Sequence, residues 1–179
     1  MKIIILGAGQ VGGTLAEHLA DEQNDITVVD TDREKLRLLQ DRLDIGTVAG
    51  EASHPNTLLR AGAEDADMLI AVTNSDEINM VACQVAYTAF HTPPKIARIR
   101  RRAYLTGGGI FRDDAMPVDH IVNPEEIITH DIKRLIDNPG ALQVMDFASG
   151  QVKLVGLRIE ADSPLVNQAL KTIRTLLPQ

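Results

Sequence analysis

Short apolar runs alternate with helix-period segments along most of the chain. The runs lie at residues 2–6, 26–30, 45–49, 67–73, 95–100 and 119–122. A short, continuous apolar run is typical of a strand that is buried on both faces of a sheet. The alternation predicts an α/β fold, with a doubly wound parallel sheet and crossover helices on its faces.

The pattern changes after Gly140, where apolar and polar residues alternate on either side of Ser149–Gly150. This alternation predicts an antiparallel hairpin over residues 141–147 and 152–159, outside the parallel sheet. An amphipathic helix is predicted over 164–177. Because one hairpin and one helix cannot bury an independent core, we expect this end to be truncated, exchanged with a partner or docked on the main domain.

The helical periodicity also predicts how individual side chains are used. In the first helix, from Gln10 to about Asp21, Val11 is expected to face the core. The short third helix is expected to bury Leu59 together with the leucine before it. Asn74 followed by Glu77 has the spacing of a capping box, which predicts that Asn74 caps the fourth helix.

A later helix, predicted from Asn123 to about Asp137, carries an unusually broad apolar stripe. Its start combines a cap residue, a first-turn proline and carboxylates at the positive end of the helix dipole. Such a stripe must be covered, which predicts a homodimer or a dimer-based oligomer. The stripe consists of Ile127, Ile128, Ile132, Leu135 and Ile136.

Composition excludes several classes of function. The formal net charge of −7 opposes nucleic-acid binding, and the arginine-rich run 98–102 is short and lacks interleaved aromatics. The single cysteine, Cys83, excludes an internal disulfide and a multi-cysteine metal site, so no metal is expected. Because no apolar stretch has the length of a membrane span or the features of a secretory signal, we expect a soluble, cytoplasmic protein.

The first strand leads directly into the sequence Gly-Ala-Gly-Gln-Val-Gly at residues 7–12. Gly7, Gly9 and Gly12 have the G-x-G-x-x-G spacing of a phosphate-binding loop. The first glycine permits a tight turn, the second lets backbone approach a pyrophosphate, and the third lets the helix pack closely. The helix that follows directs its N–H groups and positive dipole end toward that pyrophosphate.

The second strand ends at Asp30, about twenty residues beyond the glycines, where its carboxylate can accept hydrogen bonds from both ribose hydroxyls. The same charge repels a 2′-phosphate, which favours NAD over NADP. Together these features predict a Rossmann-like domain that binds a dinucleotide or another adenosine nucleotide. We predict this nucleotide-binding domain at residues 1–122, a crossover helix at 123–140 and an incomplete C-terminal subdomain at 141–179.

Ligands of such sheets bind outside the carboxyl ends of the strands, which allows further site residues to be predicted. Arg98, at the end of the fifth strand, either pairs with phosphate oxygens or forms a surface ion pair, and its spacing favours neither. The predicted site residues are Gly7, Ala8, Gly9, Gln10, Val11, Gly12, Asp30, Thr31, Asp32, Glu51, Ala52, Thr73, Asn74, Asp76 and Arg98.

The sequence offers little for catalysis. Of its five histidines, His54 alone could approach the ligand edge, and the start of a helix explains it better than a ligand contact does. The chain contains no Ser-His-Asp arrangement and no Tyr-x-x-x-Lys pair, and no second domain of substrate size. This favours a ligand sensor over an enzyme, with a small NAD-dependent oxidoreductase and another nucleotide-binding interaction module as alternatives.

Several segments together resemble the RCK (KTN) domains that regulate potassium transport. The resemblance covers nearly the whole chain and is closest to the regulatory subunits of bacterial Trk potassium-uptake systems. Residues 71–80 (Ala-Val-Thr-Asn-Ser-Asp-Glu-Ile-Asn-Met) are more specific than the glycines. The other matching segments are residues 7–12, 28–30, 50–52, 96–100, 122–125 and 136–141.

The resemblance implies a regulator that binds NAD(H), with ATP or ADP as further ligands of the same site. It implies cofactor contacts from Gly7 to Val11 and from Asp30, Thr73, Asn74 and Arg98. It further implies dimers built around the helix after Asn123. Membrane association, on the cytoplasmic face of the inner membrane, is implied only through a Trk-type potassium transporter. Members of this kind usually carry two tandem halves, and this chain corresponds to the first.

Overall fold

The computed structural model of the chain describes residues 1–106, 109–112, 114–161, 163 and 166, with the backbone alone at Ser149. The chain divides into two compact units, Met1–Pro124 and Glu125–Gln179. The helix predicted over 164–177 lies outside the described residues, apart from residue 166. The finer division of the second unit at residue 140 stays a prediction.

The first unit is built on a six-stranded sheet whose strands all run parallel, in the order β3-β2-β1-β4-β5-β6. This is the order of a doubly wound Rossmann-like sheet, so the predicted fold class is confirmed. The strands are β1 (Lys2–Leu6), β2 (Asp25–Asp30), β3 (Gly46–Ala49), β4 (Met68–Ala71), β5 (Lys95–Arg98) and β6 (His120–Val122).

Helices connect the strands and cover both faces of the sheet. They are α1 (Gln10–Ala20), α2 (Arg33–Gln40), α3 (Pro55–Arg60), α4 (Asp76–Val85), which continues into a π-helical turn (Ala86–Phe90), and α5 (Arg102–Thr106). β1 shows why both faces need cover, because Ile3 and Ile5 pack into one apolar cluster while Ile4 and Leu6 pack into the other. These four side chains are at most 4% exposed.

Two of the predicted core positions are wrong. Val11 is 37% exposed, whereas Gly12, Gly13 and Ala16 are the buried residues of α1. Only small residues fit on this side because the helix packs closely against the sheet and the loop before it. Leu59 is 45% exposed, since α3 has only six residues and turns its other leucine to the core.

The cap of α4 also differs from the prediction by one residue. Ser75, not Asn74, precedes the helix, and its hydroxyl oxygen accepts a hydrogen bond from the Ile78 N–H at 3.3 Å. The same hydroxyl donates to the Glu77 carboxylate at 2.9 Å. The predicted capping of α4 therefore comes from the neighbouring serine.

The second unit contains nearly all of α6 (Pro124–Asp137) and an antiparallel hairpin of β7 (Ala141–Phe147) and β8 (Val152–Leu157). The α6 helix and the hairpin appear where the sequence predicted them. No residue of α6 is buried within the part of the chain that the structure describes. Its predicted stripe is exposed, from 43% at Leu135 to 70% at Ile136.

Candidate functional site

A cleft opens over the carboxyl edge of the sheet, where the strand order reverses between β1 and β4. Its volume is about 600 Å³, within the usual range for small-molecule sites. The lining residues are Gly7, Gly9, Gln10, Val11, Val29, Asp30, Thr31, Asp32, Lys35, Gly50, Glu51, Ala52, Val72, Thr73, Asn74, Ile78 and Arg98.

The glycines of the β1–α1 loop have different neighbours. Gly7 has a φ of +106°, and a Cβ there would lie 3.1 Å from the backbone of Thr73. A Cβ on Gly12 would lie 1.8 Å from the Gly7 carbonyl oxygen, so this glycine is required for helix and loop to touch. At Gly9 an added Cβ meets no protein atom within 4 Å, which leaves this side of the loop open to a ligand.

The N-terminus of α1 faces the same cleft. Gly9 precedes the helix and has no side chain to cap it, and no acidic residue lies in the first turn. The first N–H groups of a helix have no partner within the helix, and they carry the positive end of its dipole. This end of α1 is therefore suited to bind the oxygens of a phosphate group.

Asp30 connects the glycine loop to the start of α2. Its Oδ2 accepts a hydrogen bond from the Ala8 N–H at 2.6 Å, and its Oδ1 accepts one from the Asp32 N–H at 2.8 Å. A carboxylate can accept about four hydrogen bonds, so capacity remains for ligand hydroxyls. Asp32 caps α2 by accepting hydrogen bonds from the N–H groups of Glu34 and Lys35. The pKa of the Asp32 carboxyl is below its ordinary value, mainly because it accepts the hydrogen bond from the Lys35 N–H.

The opposite wall of the cleft comes from the ends of β4 and β5, through Thr73, Asn74 and Arg98. Asp76, which was predicted to belong to the site, does not line the cleft. Its side chain is 2% exposed, and its Oδ2 accepts hydrogen bonds from the N–H groups of Arg100 at 3.0 Å and Arg101 at 2.9 Å. Asp76 therefore holds the segment after β5 against the start of α4.

Most of the predicted site residues meet at this cleft. Twelve of them line it, while Ala8 and Gly12 support the loop from behind through backbone contacts. Sequence reasoning missed Lys35, which lies one turn into α2 beyond the predicted Asp32. It also missed the apolar residues of the wall, whose strand-end positions were the available signal: Val29, Val72 and Ile78.

The carboxylates of the cleft lie together on one side, where Lys35 pairs with Asp32 at 3.6 Å. Asp30, Asp32 and Glu51 place carboxylates around the end of β2, whereas Arg98 places a guanidinium at the end of β5. Among the described residues that line the cleft there is no histidine, cysteine or tyrosine. The described residues also include no cluster of three or more acidic, histidine or cysteine side chains able to hold a metal ion.

Comparison with known proteins decides the family. Residues 3–124 match the TrkA-N domain family over more than half of the chain. This chain belongs to the TrkA-N domain family. A relative, the Trk system potassium uptake protein TrkA of Halomonas elongata, is 61% identical over 99% of this chain. The chain spans 39% of the length of that relative. The predicted resemblance is thereby confirmed.

Two solved structures share the fold of this chain. The TrkA-N domain of the inner membrane protein ybaL from Escherichia coli is 24% identical, with a TM-score of 0.63 over 75% of this chain and 96% of that one. The GsuK channel bound to NAD is 20% identical, with a TM-score of 0.60 over 71% of this chain and 22% of that one. Within the described residues, no helix has both the length and the apolar character needed to span a bilayer.

Proposed function

We propose that this chain is the ligand-sensing part of a TrkA-type regulatory protein that binds NAD(H), with ATP or ADP as alternative ligands of the same site. Ligand binding would control potassium flux through a Trk-type membrane transporter. The observation that carries the proposal is that the Asp30 carboxylate and the uncapped N-terminus of α1 open into one cleft. Together they match a ribose and its adjoining phosphates.

Under this proposal, the two features orient the dinucleotide. Its pyrophosphate would approach Gly9, where nothing in the protein lies within 4 Å of an added Cβ. The adenosine ribose would donate its hydroxyls to Asp30. A 2′-phosphate would meet the carboxylates of Asp30 and Asp32, so NAD is favoured over NADP. ATP and ADP offer the same ribose and phosphates, which is why one site would accept both kinds of ligand.

A regulatory role is favoured over an oxidoreductase because the described lining of the cleft offers no histidine, cysteine or tyrosine for the proton that accompanies a hydride. The carboxylates of the lining and Lys35 lie on the side of the proposed adenosine ribose, around Asp30, and not where a nicotinamide would react. The relative from Halomonas elongata is named for potassium uptake, and the GsuK channel, of the same fold, was solved with NAD bound. We expect NADH to bind and to keep its near-ultraviolet nicotinamide absorbance during incubation with small hydroxy acids and their oxo forms. Steady oxidation of NADH by such a mixture would support the enzyme instead.

Replacing Asp30 by Ala tests the proposed site. The change removes charge-assisted hydrogen bonds to the ribose and should weaken NADH binding by about 1.5–3 kcal/mol in calorimetry. Asp67→Ala is the matched control, because the Asp67 carboxylate also accepts a backbone hydrogen bond, from the Lys2 N–H at 2.8 Å, at the opposite edge of the sheet. Equal NADH affinity of wild type and Asp30→Ala would refute the assignment.

The partner proposal rests on α6 as well as on the named relative. The exposed isoleucines of α6 fit a homodimer or dimer-based oligomer, and the transporter would hold the assembly on the cytoplasmic face of the inner membrane. Nucleic acid is not among the proposed partners, because the formal net charge of −7 opposes it. Light scattering at micromolar concentration should give a multiple of the chain mass, and Ile132→Glu should reduce it. A monomeric mass for the folded wild-type chain would contradict the proposal.

A further inference from the structure

The wall of the cleft that Thr73, Asn74 and Arg98 form is called the second wall, and the β1–α1 loop with Asp30 the first. The side chain of Asn79 contacts the second wall from within the protein and is fully buried, with an exposure of 0%. Its Oδ1 accepts hydrogen bonds from the Thr73 N–H at 3.0 Å and the Thr73 hydroxyl at 2.7 Å. Its Nδ2 donates to the Arg98 carbonyl at 2.9 Å and to the Thr73 carbonyl at 3.4 Å. An amide side chain has two acceptor and two donor positions, and Asn79 uses all of them.

These hydrogen bonds lie where the ladder between β4 and β5 stops, although β5 stays paired with β6 as far as Arg98 and Val122. The last paired residues of β4 and β5 are Ala71 and Ala97, so the ladder ends before Thr73 and Arg98. Beyond this point the Asn79 amide joins the two segments in place of ladder hydrogen bonds. Thr73 and Arg98 both line the cleft, and Asn79 does not.

We propose that Asn79 is a positioning residue of the nucleotide site, which sets the separation between Thr73 and Arg98 on the second wall. The inference rests on the proposed function, since it assigns Asn79 a role in nucleotide affinity. A purely structural role would make Asn79 matter for stability alone. The two roles differ in whether a folded variant binds more weakly, and in whether that loss depends on Arg98.

Asn79→Asp separates the roles because it keeps the shape of the side chain and changes its donors. As a carboxylate, the new side chain cannot donate to the Arg98 carbonyl and is repelled by that oxygen. When protonated, it donates one O–H to Arg98 while its other oxygen accepts from Thr73. Full burial and the facing Arg98 carbonyl raise the pKa of such a carboxyl, against the lowering effect of the two Thr73 donors, so binding is compared at a pH on either side of neutrality.

The experiment measures NADH affinity by calorimetry at about pH 8 and about pH 5.5, with the melting temperature recorded for each sample. We expect Asn79→Asp to bind about ten-fold more weakly than wild type at the higher pH and to approach wild type at the lower one. In an Arg98→Ala background the same substitution should cost much less. Asn24→Asp is the control, because the Asn24 amide also donates to backbone, the Leu19 carbonyl at 2.9 Å, away from the cleft.

Each outcome decides a separate point. Wild type that binds neither NADH nor ATP overturns the proposed function. Wild type that binds, with Asn79→Asp equal to it at both pH values, overturns the positioning role. So does a loss that is unchanged by pH and equally large in the Arg98→Ala background. If Asn79→Asp does not fold, Asn79→Ser is titrated instead, and wild-type affinity of that variant overturns the role.

Discussion

The two walls of the cleft are held in place by different means. On the first wall, the β1–α1 loop is fixed by direct backbone packing, with the Gly7 N–H donating to the Val29 carbonyl at 2.7 Å and Gly12 in contact with Gly7. On the second wall, Thr73 and Arg98 are joined through the buried side chain of Asn79. Backbone packing therefore holds the first wall, whereas buried side chains, Asn79 and Asp76, tie the segments of the second wall to α4.

This difference suggests that the two walls of the proposed site recognise different parts of the ligand. The first wall would recognise the ribose and phosphates that NADH and ATP share. The second wall would contact the parts in which the ligands differ, the nicotinamide half of NADH and the terminal phosphates of ATP. Asn74 and Arg98 line the cleft on this side, across from the glycine loop. A ligand shifts a conformational equilibrium only through different affinities for the two states, so discrimination between ligands should depend on the second wall.

Gly12→Ala should have the largest effect on the first wall, because it should destabilise the fold. The new Cβ would lie 1.8 Å from the Gly7 carbonyl oxygen, and backbone on both sides must move to admit it. We expect a loss of about 3 kcal/mol or more in the free energy of unfolding, measured by denaturant titration.

The neighbouring substitution Gly13→Ala is the matched control for Gly12→Ala. The nearest atom to its Cβ is Leu39 Cδ2 at 3.5 Å, an ordinary contact. Because alanine favours helix over glycine, stability should be unchanged or higher by up to about 1 kcal/mol. Equal stabilities for the two variants would show that the loop and helix can separate without cost.

The first wall could be predicted from the sequence because its rules are local. A glycine at a fixed spacing reports a backbone contact that no other residue permits, and Asp30 follows at the end of a recognisable strand. The parallel sheet was equally readable, since residues 2–6 form a continuous apolar run. Val11 was misplaced because helical periodicity ignores how closely α1 approaches the sheet.

The second wall could not be predicted in the same way. Asn79 follows an ordinary helix pattern in the sequence, and its role depends on where β5 lies in space, nineteen residues further along. Asp76 was predicted to face the ligand because it follows the strand end, but its carboxylate turns to the backbone of Arg100 and Arg101. Side-chain contacts between distant segments leave no periodic signal.

Gly9→Ala separates binding from folding on the first wall. Gly9 has a φ of −73°, which alanine adopts freely, and no protein atom lies within 4 Å of the added Cβ. The free energy of unfolding should therefore change by less than about 1 kcal/mol. NADH and ATP should both bind about ten-fold or more weakly, because the methyl group occupies the approach of the phosphates. Unchanged affinity for both would place the phosphates elsewhere.

Arg98→Ala tests discrimination on the second wall. A triphosphate offers more negative charge to a guanidinium than a pyrophosphate does, so ATP should lose about ten-fold in affinity and NADH only about two- to three-fold. Both ligands are titrated against both proteins, and the ratio of the losses is compared. In a complete transporter complex the variant should also blunt nucleotide control of potassium flux. Equal losses would make Arg98 a general anchor, and no loss would make it a surface charge.

The smallest expected effect on stability comes from Glu77, which connects the start of α4 to α5 through hydrogen bonds. Its carboxylate accepts hydrogen bonds from the Tyr104 hydroxyl at 2.9 Å and from Arg101 at 2.7 Å. The backbone N–H of Glu77 itself, followed by the Ser75 and Tyr104 hydroxyls, lowers the pKa of the carboxyl to about 2. A lowered pKa stabilises the folded state above the pKa of the unfolded chain, about 4.3, and this contribution is lost as pH falls toward 2.

Glu77→Gln should therefore lower the melting temperature slightly at neutral pH, and the difference from wild type should shrink as pH falls below about 4.3. The side chain is 46% exposed, so solvent screens most of the interaction and the effect stays small. Glu64→Gln, at an exposed glutamate of the same unit, should leave the melting temperature unchanged. A difference that stays constant from about pH 7 to about pH 3 would mean that Glu77 acts through packing. In that case the second wall would depend on Asn79 and Asp76 without help from the ionised Glu77.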